Sequence, residues 1–122
     1  DIQEKSLPSN HPSIATSYSN MGSVHYRMKD YSKALMYHQM ALDRQEQSLP
    51  ENHPSIAITY NNIGLAKSSL GDYSNALEAL QKSWHMMKMS LPPDHPHVKA
   101  VAHSLEVNKD HLKNDDTAKI EN

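Results

Sequence analysis

The chain has 122 residues, 37% of them hydrophobic and 21% charged, with 12 basic residues set against 14 acidic ones. That near balance excludes a general electrostatic pull toward nucleic acid or an anionic membrane. The absence of cysteine excludes disulfides, thiolate catalysis and cysteine-based zinc sites, and fits a reducing, cytoplasmic setting. No apolar run approaches the ~20 residues of a membrane span and no signal-peptide pattern opens the chain, while three glycines and no strand-like alternation point to an all-α protein.

Residues 1–5, DIQEK, align with Asp43–Gln47 further on and read as the tail of a preceding repeat, so the chain is expected to be the C-terminal part of a longer one. The phrase SLPSNHPSIA follows at 6–15, returns as SLPENHPSIA at 48–57, and appears in degraded form as SLPPDHPHVK at 90–99. The interval is 42 residues, and pairing 6–47 with 48–89 gives 18 identities in 42 positions. A repeat of this length implies a solenoid, in which each unit buries its apolar face on its neighbours.

Each unit reads as two helices. In the first, helix A is expected near 12–28, a turn at Lys29-Asp30, and helix B near 31–46. In the second, Asn52 or His53 caps helix A and Pro54 occupies its first turn, where the missing N–H costs nothing. Helix A then runs to about Leu70 with Ile56, Tyr60, Ile63 and Leu70 on one face. Gly71-Asp72 ends it, and helix B spans about Tyr73–Lys88 with Ala76, Leu77, Leu80, Trp84 and Met87 inward. Gly22 with Ala34 and Ala41, and Gly64 with Ala76 and Ser83, would let the paired helices approach closely. The third unit supplies one helix, about 96–113, showing Val98, Val101, Ala102 and Leu105 inward and Glu106, Lys109 and Lys113 to water. The last residues, 114–122, are too polar for a packed helix B and read as a flexible tail.

Gly22…Asp30-Tyr31…Ala34…Ala41 and Gly64…Gly71-Asp72-Tyr73…Ala76 resemble the tetratricopeptide pattern. The long period and the Leu-Pro-x-x-His-Pro connectors resemble its kinesin-light-chain type. The resemblance implies a right-handed superhelical α-solenoid of antiparallel helix pairs, with a C-terminal capping helix. It divides the chain into a repeat domain over 1–113 (repeats at 6–47 and 48–89, a capping helix within 90–113) and the tail. It further implies a non-catalytic interaction module of a scaffold or adaptor, a motor-cargo adaptor by analogy, binding an extended peptide on a concave helix-A face.

The stripe of helix A turned from the core carries Asn20, Ser23, Tyr26 and Arg27 in the first unit, and Ile58, Asn61, Asn62, Leu65 and Ser69 in the second. Amides and hydroxyls there can bond a peptide backbone while Tyr26, Ile58 and Leu65 grip side chains. Asn20 and Asn62 match the place where similar repeats clamp ligand backbone. Arg27 is the stripe's one cation, so a neutral or mixed ligand fits as well as an acidic one.

His11, His53 and His95 recur with the period and belong to the connectors. They stand a repeat apart, too far to converge on a metal, and no cofactor is expected. Trp84, Met86 and Met87 read as core before binding surface. No catalytic elbow, phosphate loop or metalloprotease motif is present. The alternative to peptide binding is a terminal structural segment that self-associates or exchanges helices through its N-terminal end, where Met21, Val24 and Met28 lack a neighbour.

Overall fold

The computed structural model describes residues 12–121, with side chains over 14–114. The expected tail of a preceding repeat at 1–5, and the connector as far as His11, lie outside the described residues. Five helices follow one another: α1 Pro12–Arg27, α2 Tyr31–Ser48, α3 Pro54–Ser69, α4 Tyr73–Ser90 and α5 Pro96–Glu121. α1 packs on α2 and α3 on α4 as hairpins; α2 joins the hairpins through α3, and α5 lies against α4 and touches α3. The fold is an all-α repeat solenoid.

Local chemistry sets the boundaries. His53 is the cap of α3: its Nδ1 accepts from the Ser55 N–H at 3.0 Å. His95 does the same for α5, accepting from His97 at 3.1 Å. The repeated histidine is thus a helix N-cap, and Asn52 takes the left-handed turn before it, with φ of 64°. Each helix A closes by a bond that reaches five residues back, Asp30 N–H to the His25 carbonyl and Asp72 N–H to that of Lys67, both at 2.9 Å. The residue before each of these aspartates is left-handed, Gly71 at φ 83° and Lys29 at φ 64°. Helices α2 and α4 run two residues past expectation. They stop where Leu49 and Leu91 turn extended, the conformation that the following prolines demand.

Within the second hairpin and against α5, Ile56, Ala57, Met86, Met87, Val98 and Val101 form one buried cluster with Trp84, Leu42 and Leu91 packed against it. Met86 and Met87 are core and Trp84 packs half-buried against them, as the sequence suggested. Each large side chain withdrawn here contributes roughly 1.5–3 kcal/mol. Leu70 departs from expectation: it is the C-cap of α3, at the point where the chain leaves the helix, and it is exposed.

The largest departure is at the C-terminus. The helix expected to end near Lys113 continues to Glu121 as α5. In the earlier units the chain turns back at Asp30-Tyr31 and Asp72-Tyr73, and the tyrosine is packed. Tyr31 meets Tyr26 edge-on at 5.2 Å, and Tyr73 stacks on His111 at 5.0 Å. One period later the pair is Asn114-Asp115, and 114–121 contains neither glycine nor proline. Neither a Gly-Asp nor a Lys-Asp pair stands at that turn register, where the residues are Lys113-Asn114, and the backbone stays helical. Val98, Val101 and Leu105 face inward as expected, and Glu106, Lys109 and Lys113 face water.

Candidate binding cleft on the A-helix face

Helices α1 and α3 each present one side to the hairpin and one away from it. Between their outward sides lies a cleft of about 170 Å³ lined by Ser23, Tyr26 and Arg27 from α1, Asn62 and Leu65 from α3, and His38 from α2. Five of the nine stripe residues singled out from sequence meet here. Ser69 closes one end through a 3.2 Å hydrogen bond between its hydroxyl and that of Tyr26, spanning the two repeats. Asn20 is exposed on α1 and does not line the cleft. Asn61 is half-buried beside it, and its side-chain oxygen is enclosed without a partner. Ile58 packs on the core cluster instead of gripping a ligand.

His38 is the residue that sequence reasoning missed. It is 2% exposed, although it belongs to helix B. It reaches the cleft because position 22 is glycine: a Cβ built there would stand 2.8 Å from the His38 ring. One period on, Leu80 packs onto Gly64 in the same way, with a hypothetical Cβ only 2.6 Å from its side chain and 3.3 Å from the Ala76 carbonyl. Close approach at Gly22 is therefore against His38 where the sequence had suggested the alanines, while at Gly64 it is against Leu80 together with the backbone of the expected Ala76. The His38 Nδ1 is enclosed without a partner, and burial lowers the imidazole pKa. The signal for it was available, since a polar side chain occupies a register position where the second unit carries leucine.

In chemical terms the cleft offers one exposed guanidinium, an amide, hydroxyls and two broad apolar surfaces. It has no carboxylate in its lining. Such a set can hold a peptide backbone and one side chain. On α5, His111 is already stacked on Tyr73, and Ser104 bonds back to the Ala100 carbonyl at 3.1 Å. Both contacts are internal to the fold.

No helix among the described residues is long and apolar enough to cross a membrane. The tetratricopeptide repeat family matches residues 13–88. No curated protein matches the chain. Among solved structures, the chain is similar to the nearly identical TPR-like repeats of a Podosopora anserina protein assigned as a kinesin light chain. The TM-score is 0.75 at 23% identity, covering 97% of this chain and 56% of that one. A second structure of those repeats gives 0.73 at the same identity and coverage. The chain thus spans little more than half the length of the solved chains it matches. Repeats of this family generally mediate protein–protein interaction. With its repeated hairpins, glycine contacts and histidine-capped connectors, the chain belongs to the tetratricopeptide repeat family, in the fold of the kinesin-light-chain type of repeat.

Proposed function

We propose that the chain is a non-catalytic interaction module of a scaffold or adaptor, working in the cytoplasm. In this reading it holds an extended peptide across the cleft between α1 and α3. The observation that supports it best is convergence: Ser23, Tyr26 and Arg27 of one repeat share a cavity with Asn62 and Leu65 of the next. A peptide lying there meets the Asn62 amide with its backbone and Leu65 with a side chain, while Arg27 tolerates a carboxylate without requiring one. Asn20 and Asn61 flank the cleft and would engage a longer ligand.

A peptide array of defined sequences, probed with the purified chain, tests this. Asn62→Ala and Leu65→Asp should each weaken the selected peptides by about tenfold or more, a loss of about 1.4 kcal/mol or more, with the helical circular dichroism unchanged. Binding that survives both substitutions would remove the cleft from the mechanism. A second reading, self-association of a terminal segment, is favoured by exposed apolar side chains along α1. Met21 is 41%, Val24 45% and Met28 67% exposed, whereas Ile63 and Ala66, one period after the first two, are buried.

A further inference from the structure

On the side of the molecule away from the cleft, two grooves occupy the same register one period apart. The first runs between the end of α2, its connector and the start of α3, with Glu46, Leu49 and Glu51 followed by Ile56 and Tyr60. Its far wall is α4, which contributes Lys82, His85 and Met86. The wall is fastened in two ways. The Lys82 ammonium lies 4.8 Å from the centre of the Tyr60 ring, and the Tyr60 hydroxyl donates to Glu46 at 3.1 Å.

The second groove, about 300 Å³, runs between the end of α4, its connector and the start of α5. Lys88, Leu91 and Pro93 stand at the register of Glu46, Leu49 and Glu51, and Val98 and Ala102 at that of Ile56 and Tyr60. Trp84 and Lys99 complete it, and among the described residues no helix supplies a far wall. The chain's own next segment does not return to fill it among the described residues, because α5 continues straight past the turn register. At 1.5 Å per residue it carries the backbone roughly 35 Å beyond Val98 by Glu121.

The change in charge says what would fit. Where the walled groove has Glu46 facing a lysine, the open one has Lys88, whose ammonium sits 4.0 Å from the Trp84 ring centre. Lys99 replaces Ala57, and the lining contains no carboxylate. Alanine in place of Tyr60 leaves room for a larger apolar side chain. Glu106, exposed at the register of Gly64, prevents a helix from lying close along the whole of α5. Contact is confined to its first two turns.

We propose that this open groove receives a short amphipathic helix of a partner protein, lying as α4 lies along the preceding groove. An apolar side chain takes the place of Met86, and carboxylates face Lys88 and Lys99. The site shares no residue with the cleft between α1 and α3 and stands or falls separately from it.

Trp84 is the sole tryptophan of the chain, so its emission reports the groove directly. The probes are two helical peptides with identical leucine and methionine positions, one flanked by glutamate and the other by lysine. The glutamate peptide should shift Trp84 emission saturably, and the lysine peptide should bind about five- to tenfold more weakly. Lys88→Glu with Lys99→Glu should reverse that preference, and since both side chains are exposed the fold should survive. Arg27→Glu, in the cleft, should leave the Trp84 response unchanged. Equal responses to both peptides, or none at millimolar concentration, would overturn the proposal. So would an emission change that depends on protein concentration alone, which would mean that a second copy fills the groove.

Discussion

His38 carries a cost that its counterpart does not. A buried imidazole nitrogen without a partner loses its hydration and gains nothing in exchange, a penalty of about 1–3 kcal/mol. Leu80 shows that the site accepts leucine, so His38→Leu should raise stability by about 1–2 kcal/mol in urea titration. The same residue sets a pH dependence. Burial lowers the folded-state pKa, so the unfolded chain takes up a proton first as pH falls below the ordinary histidine value. The stability is therefore whole above about pH 6.5 and declines from there toward the depressed folded value. In the leucine variant this part of the decline should vanish; an unchanged pH profile would show that His38 is not its source. At Lys29 the left-handed backbone strains an L side chain. Lys29→Gly, which copies Gly71, should gain about 0.5–1 kcal/mol, read as a rise in melting temperature.

Between elements, the two joints between successive repeats solve one packing problem with different chemistry. Where α2 meets α3, Thr59 and Gln45 are both buried and hydrogen-bonded to each other. Where α4 meets α5, the same register holds Val101 and Met87, both buried and apolar. Replacing Thr59 by valine leaves the Gln45 amide enclosed without that partner and should cost about 1–3 kcal/mol. Adding Gln45→Met installs the pair of the second joint, and the double variant should recover most of the loss. Denaturant titration of all four species measures the coupling; additive losses would show that the two joints are not equivalent. At the helix crossings, Gly64→Ala should be net destabilising by about 1–2 kcal/mol, because backbone at Ala76 as well as Leu80 stands in the way. The helices themselves were legible from Pro-rich connectors, Gly-Asp and Lys-Asp turns and apolar spacing. A cap just before Pro54 was legible as Asn52 or His53, and the structure assigns it to His53. That α5 runs on to Glu121 was not legible, since polar composition says that a segment has little to bury and not that it leaves the helix.

At the scale of the molecule, apolar surface stays open on the first helix. Along α1 the Met21–Val24–Met28 stripe is open to solvent, whereas Ile63 and Ala66, the counterparts of its first two residues, are buried. Each large apolar side chain left in water forfeits roughly 1.5–3 kcal/mol of burial. If copies associate through this stripe, light scattering should show mass rising with concentration, and Met21→Glu with Val24→Glu should abolish the rise; a monomer at every concentration removes the second functional reading. Sequence by itself determined the repeat, the order of helix pairs and most of the inward positions, because period, caps and apolar spacing act within one or two turns. It also placed Ser23, Tyr26, Arg27, Asn62 and Leu65 on outward stripes. Only the tertiary structure decided that these five share one cleft, that His38 reaches it past Gly22, that Asn20 stands outside it, and that one of two equivalent grooves is not walled by a helix among the described residues. Those facts depend on how separate helices are set against one another, and no periodicity within a single helix encodes that.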